Sequence, residues 1–185
     1  MDRRERRSTG VDQTLAMRLE PAEESTRIGF DDLYRSSRDD VYAYVATLLR
    51  DRGAAEDVTA TAFERAYRKR NTFMARRGSP RAWLFGIARN AALDELRRRQ
   101  RTAPLDADLH ELQIEPVAEL AEHALRRAAV RQALASLTAR ERDLIALKFH
   151  GALTNAELAR VLGTTETNAG TMLHRTIQKL REACR

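Results

Sequence analysis

Apolar residues recur every three or four positions in two separate stretches of the chain, which predicts amphipathic α-helices. The predicted helices of the first stretch cover residues 30–50, 54–70 and 80–101. Residues 51–53, Asp-Arg-Gly, are expected to end the first of them. Ser79 is suited to cap the third helix, and Pro80 suits its first position, where a backbone N–H would have no partner. Residues 28–101 are therefore predicted to form one small helical domain.

The second stretch, residues 123–185, carries clear signals for helix starts. Thr138–Glu141 and Thr154–Glu157 both match the capping box, in which a Thr and a Glu three positions later bond each other's backbone N–H. A short helix after Thr154, a turn containing Gly163 and a longer basic helix to about Glu182 form the layout of a helix-turn-helix domain. Any small helical bundle is the alternative. In the helix after Thr138, three residues are expected to face the core: Leu144, Ile145 and Phe149.

Two other segments have no periodic apolar pattern. Residues 1–27 are predicted to be a disordered tail, and Met17 remains an alternative start of the protein. Residues 102–122 contain two prolines and six acidic residues without a Lys or Arg, which indicates an extended acidic linker. The chain is thus predicted to be all-α, with two small helical domains joined by an acidic linker, the second being the helix-turn-helix domain.

The charge is unevenly distributed along the chain. Residues 65–101 hold twelve basic and two acidic residues, a net charge of +10 against +6 for the whole chain. Residues 30–64, by contrast, have a net charge of −4. Because an ordinary solvated surface mixes charges of both signs, the +10 segment favours contact with a polyanion. The pI of about 10.1 admits either nucleic acid or an acidic membrane surface.

The third predicted helix has an apolar side and a basic side. At 100° per residue, four residues fall on its apolar side: Leu84, Ile87, Ala88 and Ala91. The opposite side carries amide and guanidinium donors, from Arg89, Asn90 and Arg97, with Trp83 at the border. Such a surface suits a nucleic acid whose bases are contacted as well as its phosphates.

The sequence offers no chemistry for an enzyme, cofactor or metal. Cys184 is the single cysteine, the four histidines are scattered without metal-ligand spacing, and no Gly-rich phosphate loop is present. No stretch approaches the roughly 20 apolar residues needed to span a bilayer, and no signal peptide is visible. We therefore expect no membrane insertion, and a cytoplasmic location is compatible with these features.

Two sets of motifs resemble the extracytoplasmic-function (ECF) sigma factors, which are bacterial transcription-initiation proteins. The first set contains Ala55-Glu56-Asp57-Val58 and the run Trp83-Leu84 to Ile87-Ala88-Arg89-Asn90, and it resembles the first domain of that family. The second contains Ala156-Glu157-Leu158-Ala159, Leu162-Gly163 and Leu173-His174-Arg175, and it resembles the second domain. The resemblance covers about residues 28–185, with the linker in place.

The resemblance implies a promoter-specificity subunit of RNA polymerase. The first domain would dock on the coiled coil of the largest subunit of core RNA polymerase, and the residues implied are Glu56, Asp57 and Phe63. It would also read and melt the minus-ten element, and loop 73–79 would hold an extruded base. The DNA contacts implied there are Phe73, Arg76, Arg77, Ser79, Arg81, Trp83, Arg89, Asn90, Asp94, Arg97 and Arg98. The second domain would read the minus-thirty-five element through Thr165, Thr167, Asn168, Thr171, His174, Arg175 and Lys179.

Several positions depart from the family pattern and keep other interpretations open. Ala60 and Thr61 replace a usual Gln and an acidic residue on the docking helix, and Gly170 and Met172 replace usual Lys and Arg in the recognition helix. An anti-sigma factor is an expected partner. The alternative function is a sigma-like decoy that binds an anti-sigma partner without reading promoters, and a plain helix-turn-helix repressor is a third hypothesis. In the free protein, the two DNA-facing surfaces are candidates for burial against each other or against a partner.

Overall fold

The computed structural model describes residues 29–73, 78–102 and 121–184, apart from the side chains of residues 102 and 121–127. Seven α-helices and a short 3-10 helix, Arg70–Thr72, occupy these ranges, which contain no β-strand. The α-helices are α1 Phe30–Leu49, α2 Arg52–Lys69, α3 Pro80–Thr102, α4 Ala121–Ala135, α5 Ala139–Phe149, α6 Asn155–Leu162 and α7 Glu166–Ala183. The prediction of an all-α chain is therefore confirmed. The predictions for the tail 1–27, for Arg76 and Arg77, and for linker residues 103–120 lie outside the described residues.

The predicted helix caps are present. The Ser79 hydroxyl accepts the Ala82 backbone N–H at 3.1 Å at the start of α3. Both capping boxes are reciprocal, since each Thr hydroxyl accepts a Glu backbone N–H and each Glu carboxylate accepts a Thr backbone N–H. Gly163 ends α6 with φ of 68°, which a residue without a Cβ adopts at no steric cost. Short-range polar contacts thus define these helix ends.

One predicted helix boundary is wrong: the second helix is expected to begin at residue 54, but α2 begins at Arg52. The first helix ends near residue 50, as predicted, and Arg50 has the left-handed conformation with φ of 52°. Asp51 instead caps α2, because its carboxylate accepts the Ala54 backbone N–H at 3.0 Å. Arg52 and Gly53 consequently form the first turn of α2.

The first domain buries apolar residues between α1, α2 and α3. Val41 and Val45 of α1, Ala62 of α2, and Leu84 and Phe85 of α3 have no exposed surface or only a few per cent of it. Each of the three helices packs against the other two. The donors of α3 are therefore fixed to a rigid three-helix support.

The second domain is built from α4 to α7, and α6 and α7 form its helix-turn-helix pair. Leu144, Leu147 and Leu158 are buried in its core. The prediction that Phe149 faces inward is wrong, since 67% of that side chain is exposed. Phe149 lies on the side of the buried Ile145, four positions earlier, but it is the last residue of α5 and its ring remains largely uncovered. Leu153, which follows the turn after α5, is buried instead.

The two domains contact each other directly. Helix α1 packs against α5, and α3 packs against α6. Apolar residues of both domains belong to one continuous buried cluster. The N-terminal part of α3 therefore faces the second domain rather than solvent.

Candidate nucleic-acid interface

The C-terminal half of α3 presents an exposed row of polar side chains. Asn90, Asp94, Arg97 and Arg98 are all exposed, as their predicted contact with DNA requires. Asp94 accepts hydrogen bonds from Arg97 at 3.2 Å and from Arg65 of α2 at 3.4 Å. These exposed pairs are weak in water and exchange readily with phosphate oxygens. The row is thus oriented by acidic neighbours and remains accessible.

Glu95 organises the arginines on the other flank of α3. Its carboxylate accepts two hydrogen bonds from Arg98, at 2.7 and 2.8 Å, and one from Arg99 at 2.9 Å. Arg99 also reaches Asp51, the cap of α2, at 2.9 Å. The hydrogen bond from Arg98 is the main cause that lowers the pKa of Glu95 from 4.5 to about 2, although burial opposes it. Glu95 therefore stays ionised and holds the basic side of α3 in place.

An aromatic pair lies where loop 73–79 meets α3. Phe73 and Trp83 contact edge to face, with ring centroids 5.5 Å apart. Phe73 is buried and Trp83 is partly exposed. Of the two rings that are predicted to hold an opened strand, only Trp83 has accessible surface, and Phe73 contacts it from the buried side. Arg76 and Arg77 of this loop lie outside the described residues.

Arg81 is directed toward the second domain rather than outward. Its guanidinium donates to the carbonyl oxygens of Gly151 at 2.6 Å and His150 at 2.7 Å. It also donates to the Asp40 carboxylate of α1 at 2.6 Å and to the Ser37 hydroxyl at 3.3 Å. Arg81 therefore links both domains.

Arg89, another predicted DNA contact, pairs with Asp143 of α5. Arg89 Nε donates to Asp143 Oδ2 at 2.7 Å, and the Tyr44 hydroxyl of α1 donates to Asp143 Oδ1 at 2.8 Å. The side chain of Asp143 is 7% exposed and that of Arg89 is 22% exposed. Burial is the main cause that raises the pKa of Tyr44 well above 10, and the charge of Asp143 adds to it. The donor of Arg89 is thus already occupied.

The sequence did not single out Asp143 as a functional residue. It stands within Arg140-Glu-Arg-Asp143, which looks like an ordinary charged surface. The sequence nevertheless contains one indication that Asp143 is buried. It precedes Leu147 by four positions and therefore lies on the same inward side of α5. A carboxylate on the buried side of a helix requires a hydrogen-bonding partner, and here Arg89 and Tyr44 provide it.

Ser79 joins the same contact between the domains. Its hydroxyl donates to the Glu157 carboxylate of α6 while it accepts the Ala82 backbone N–H. Glu157 also completes the capping box with Thr154. Burial raises the pKa of Glu157, but hydrogen bonds from Ser79 and Thr154 outweigh this effect, so the pKa is lowered overall. Glu157 of α6 is therefore a charged acceptor that faces the start of α3.

The N-terminal half of α7 is an exposed polar surface. The predicted minus-thirty-five contacts that are exposed there are Thr165, Thr167, Asn168, Thr171, His174 and Arg175. Thr165 caps α7 by accepting the Asn168 backbone N–H at 3.2 Å, and the Asn168 amide donates to Thr164 at 2.7 Å. Lys179 differs, because it is half-buried and donates to the Glu141 carboxylate at 2.9 Å and the Ser136 carbonyl at 3.2 Å. Lys179 thus ties α7 to the rest of its domain.

Of the three residues predicted to dock on RNA polymerase, two are exposed and one is buried. Glu56 and Asp57 are exposed on α2. Phe63 is buried and packs edge to face against Tyr34 at 4.8 Å and Phe30 at 6.5 Å. Phe63 therefore shapes the helix pair that carries the two acids rather than presenting a surface itself.

Within the described ranges, none of the helices is long and apolar enough to cross a membrane. The same ranges contain no group of three or more His, Cys, Asp or Glu side chains placed to hold a metal ion.

Each of the two domains matches a known protein family. Residues 33–102 match the family Sigma-70 region 2, and residues 127–180 match the family Sigma-70, region 4. The ECF RNA polymerase sigma factor BldN of Streptomyces coelicolor is 31% identical over 166 residues, which is 88% of this chain and 62% of that protein. The chain belongs to the ECF sigma factor family. It spans less than two thirds of the length of BldN, but 78% of the length of SigK from Mycobacterium ulcerans, to which it is 32% identical over 145 residues, 76% of this chain.

A solved structure of a sigma factor supports the architecture. The sigma factor RpoE of Bartonella quintana, determined in complex with the anti-sigma factor NepR, superimposes with a TM-score of 0.67 at 21% identity. The match covers 83% of this chain and 95% of that one. At this identity the comparison supports the fold alone.

Proposed function

We propose that this ECF sigma factor binds core RNA polymerase, directs it to specific promoters and helps to melt the minus-ten element. The observation that carries the proposal is that two helices in separate domains, α3 and α7, each present exposed amide and guanidinium donors. In α3 these donors are Asn90, Arg97 and Arg98. In α7 they are Asn168 and Arg175. Two such surfaces on one chain suit the recognition of two DNA elements.

Strand opening in this proposal is differential binding. The first domain holds the opened strand better than the duplex, so melting is favoured without nucleotide hydrolysis. Trp83 is the residue we assign to an unstacked base, since base–aromatic stacking contributes about 1–3 kcal/mol per base. Glu56 and Asp57 are assigned to the polymerase coiled coil because they are exposed on α2, away from the basic row of α3.

The test is transcription with the core polymerase of the host on a pool of its promoters. Replacing Arg97 and Arg98 by Ala should lower initiation at all promoters used, and replacing Asn168 and Arg175 should also relax the preferred upstream sequence. Arg181→Ala, an exposed change in the last turn of α7, is the matched control and should have little effect. Failure of the wild-type protein to bind core polymerase would overturn the proposal.

Trp83→Ala separates melting from binding. We expect permanganate reactivity of the opened region to fall about tenfold, with binding to core polymerase within twofold of wild type. Equal losses in both assays would remove Trp83 from the melting step. Phe73→Ala is the poorer test, because Phe73 is buried and its loss disturbs packing as well.

An anti-sigma factor is the second partner we propose. The sigma factor RpoE was solved in complex with the anti-sigma factor NepR, and CnrH was solved in complex with the cytosolic domain of CnrY. If the protein retained an anti-sigma factor but not core polymerase, the decoy function would replace the one proposed here.

A further inference from the structure

Thr171 lies at the centre of the exposed side of α7. The buried residues of this helix are Ala169, Leu173 and Thr176. At about 100° per residue, Thr171 lies about 190° from the middle of that buried side. Its side chain is exposed. When a helix enters a major groove with its exposed side foremost, the residue at the centre of that side lies nearest to the base edges.

The hydroxyl of Thr171 is turned back onto its own helix. It donates to the backbone carbonyl oxygen of Thr167 at 2.9 Å. A hydroxyl has a single hydrogen, so in this conformation it has none left to donate to a base. Because the side chain of Thr is branched at Cβ, the hydrogen bond that fixes the hydroxyl also fixes the methyl group. Thr171 therefore offers a base a fixed methyl group and no hydrogen-bond donor.

The surroundings of Thr171 carry little positive charge. Residues 165–175 contain one arginine, Arg175, and no lysine. Lys179, further along α7, donates within its own domain. One N–H of the Asn168 amide is engaged by the Thr164 hydroxyl at 2.7 Å. With one cation in this stretch, the attraction of α7 to phosphates is small, so the contacts of uncharged groups carry more of its preference for sequence.

We propose that Thr171 determines the base preference at one position of the minus-thirty-five element, because its methyl group packs against the C5-methyl group of a thymine. This inference rests on the proposed function of α7 and names the base feature that the helix reads. Thymine is the base whose major-groove edge carries a methyl group, and the methyl of a Thr contacts it without a hydrogen bond. Any other base at that position leaves the Thr171 methyl group without this apolar partner.

The test removes one methyl group at a time, first from the DNA. The holoenzyme, reconstituted from the full-length protein and the core polymerase of its host, selects duplexes from a pool that is random in the minus-thirty-five region. Each thymine of the selected element is then replaced in turn by deoxyuridine, which keeps the base pair and lacks only the methyl group. Binding of the holoenzyme to each fluorescein-labelled duplex is measured by anisotropy.

Two variants divide the side chain of Thr171 into its parts. Thr171→Ser keeps the hydroxyl and removes the methyl group, whereas Thr171→Val keeps a methyl group and removes the hydroxyl. The matched control is Thr138→Ser, the same change at the exposed N-cap of α5, where Ser caps as well as Thr.

We expect one thymine at which deoxyuridine weakens binding of the wild type about three- to fivefold, as for the loss of one buried methyl group. Thr171→Ser should bind the thymine duplex more weakly by a similar factor and should no longer distinguish thymine from deoxyuridine there. Thr171→Val and Thr138→Ser should stay within about twofold of the wild type and keep its discrimination.

Three results would overturn the methyl contact. The first is wild-type binding that is unchanged by deoxyuridine at every thymine of the element. The second is a Thr171→Ser variant that discriminates as the wild type does. The third is loss of discrimination in Thr171→Val with retention in Thr171→Ser, because the hydroxyl would then be the contacting group.

The methyl contact and the proposed function fail in distinguishable ways. If the holoenzyme does not form or selects no sequence in the minus-thirty-five region, the proposed function fails, and the role of Thr171 fails with it. If an element is selected but is insensitive to deoxyuridine, only the role of Thr171 is overturned.

Discussion

The hydrogen bond between Tyr44 and Asp143 gives a direct test of the contact between the two domains in solution. Tyr44 belongs to α1 and Asp143 to α5, and 99 positions of sequence separate them. Tyr44 has no exposed surface, and its hydroxyl donates to Asp143 at 2.8 Å. We consider Tyr44→Phe, Asp143→Ala and the double variant. Phe keeps the ring that packs edge to face on Phe85, so the change at Tyr44 removes little besides the hydrogen bond.

The magnitude follows from the burial of both groups. A hydrogen bond to a charged group contributes about 1.5–3 kcal/mol, and a buried hydroxyl left without its acceptor costs about 1–3 kcal/mol. We expect Tyr44→Phe to cost about 1.5 kcal/mol and Asp143→Ala about 3 kcal/mol, because the latter also loses the ion pair with Arg89. The double variant should lose about 1.5 kcal/mol less than the sum of the two single changes.

The assay is urea unfolding followed by circular dichroism at pH 7. A second cycle that combines Tyr44→Phe with Glu182→Gln serves as the control and should be additive within about 0.5 kcal/mol. A coupling below about 0.5 kcal/mol between positions 44 and 143 would show that the domains do not hold this contact in solution. The raised pKa of Tyr44 adds a second readout. The unfolded chain ionises this group near pH 10 and the folded protein does so only at higher pH. The free energy of unfolding should therefore fall as pH rises above 10, and less so in Tyr44→Phe.

Three further changes test separate parts of the structure. Gly170→Ala should raise stability by about 0.5–1 kcal/mol in urea unfolding, because a Cβ there would meet Asn155 at an ordinary 3.5 Å; a loss would refute this. Glu95, with its pKa of about 2, stabilises the fold above pH 4.5 by about 1 kcal/mol and loses that contribution as pH falls through 2. Glu95→Gln should flatten this pH dependence, and an unchanged profile would contradict it. Gly151→Ala should cost about 2 kcal/mol or more in thermal unfolding, because a Cβ would lie 2.4 Å from the Leu147 carbonyl oxygen, and a neutral change would refute the geometry.

The helices and their caps were predictable because their determinants are local. Ser79, Thr138 and Thr154 bond backbone groups three positions away, so a few letters of sequence contain the whole interaction. Asp51 shows the limit of this approach. Asp is common both in turns and at helix N-caps, so the sequence does not show which of these roles Asp51 has. In the structure Arg50 takes the left-handed conformation that ends α1, and Asp51 is then free to cap α2.

The surroundings of the candidate site were not predictable from the sequence. Helical periodicity correctly predicts that Arg89 lies away from the apolar side of α3. It contains no information on which part of the chain packs against the side that carries Arg89. The partner of Arg89 lies 54 positions away on another domain. For the same reason Phe149 is predicted to be buried: it follows the buried Ile145 by four positions, but periodicity does not show that the core ends before the last residue of α5.

The covered and the exposed halves of α3 differ in where the hydrogen-bond partners of their basic side chains lie. The exposed donors, such as Arg97, pair with acids of the first domain itself. Arg81 and Arg89 instead reach across to the second domain. Removing the acceptors of the second domain would therefore leave Arg81 with only its hydrogen bonds to α1, and it would leave Arg97 in its present ion pair with Asp94. The two halves of α3 thus differ in whether their basic side chains depend on the contact between the domains.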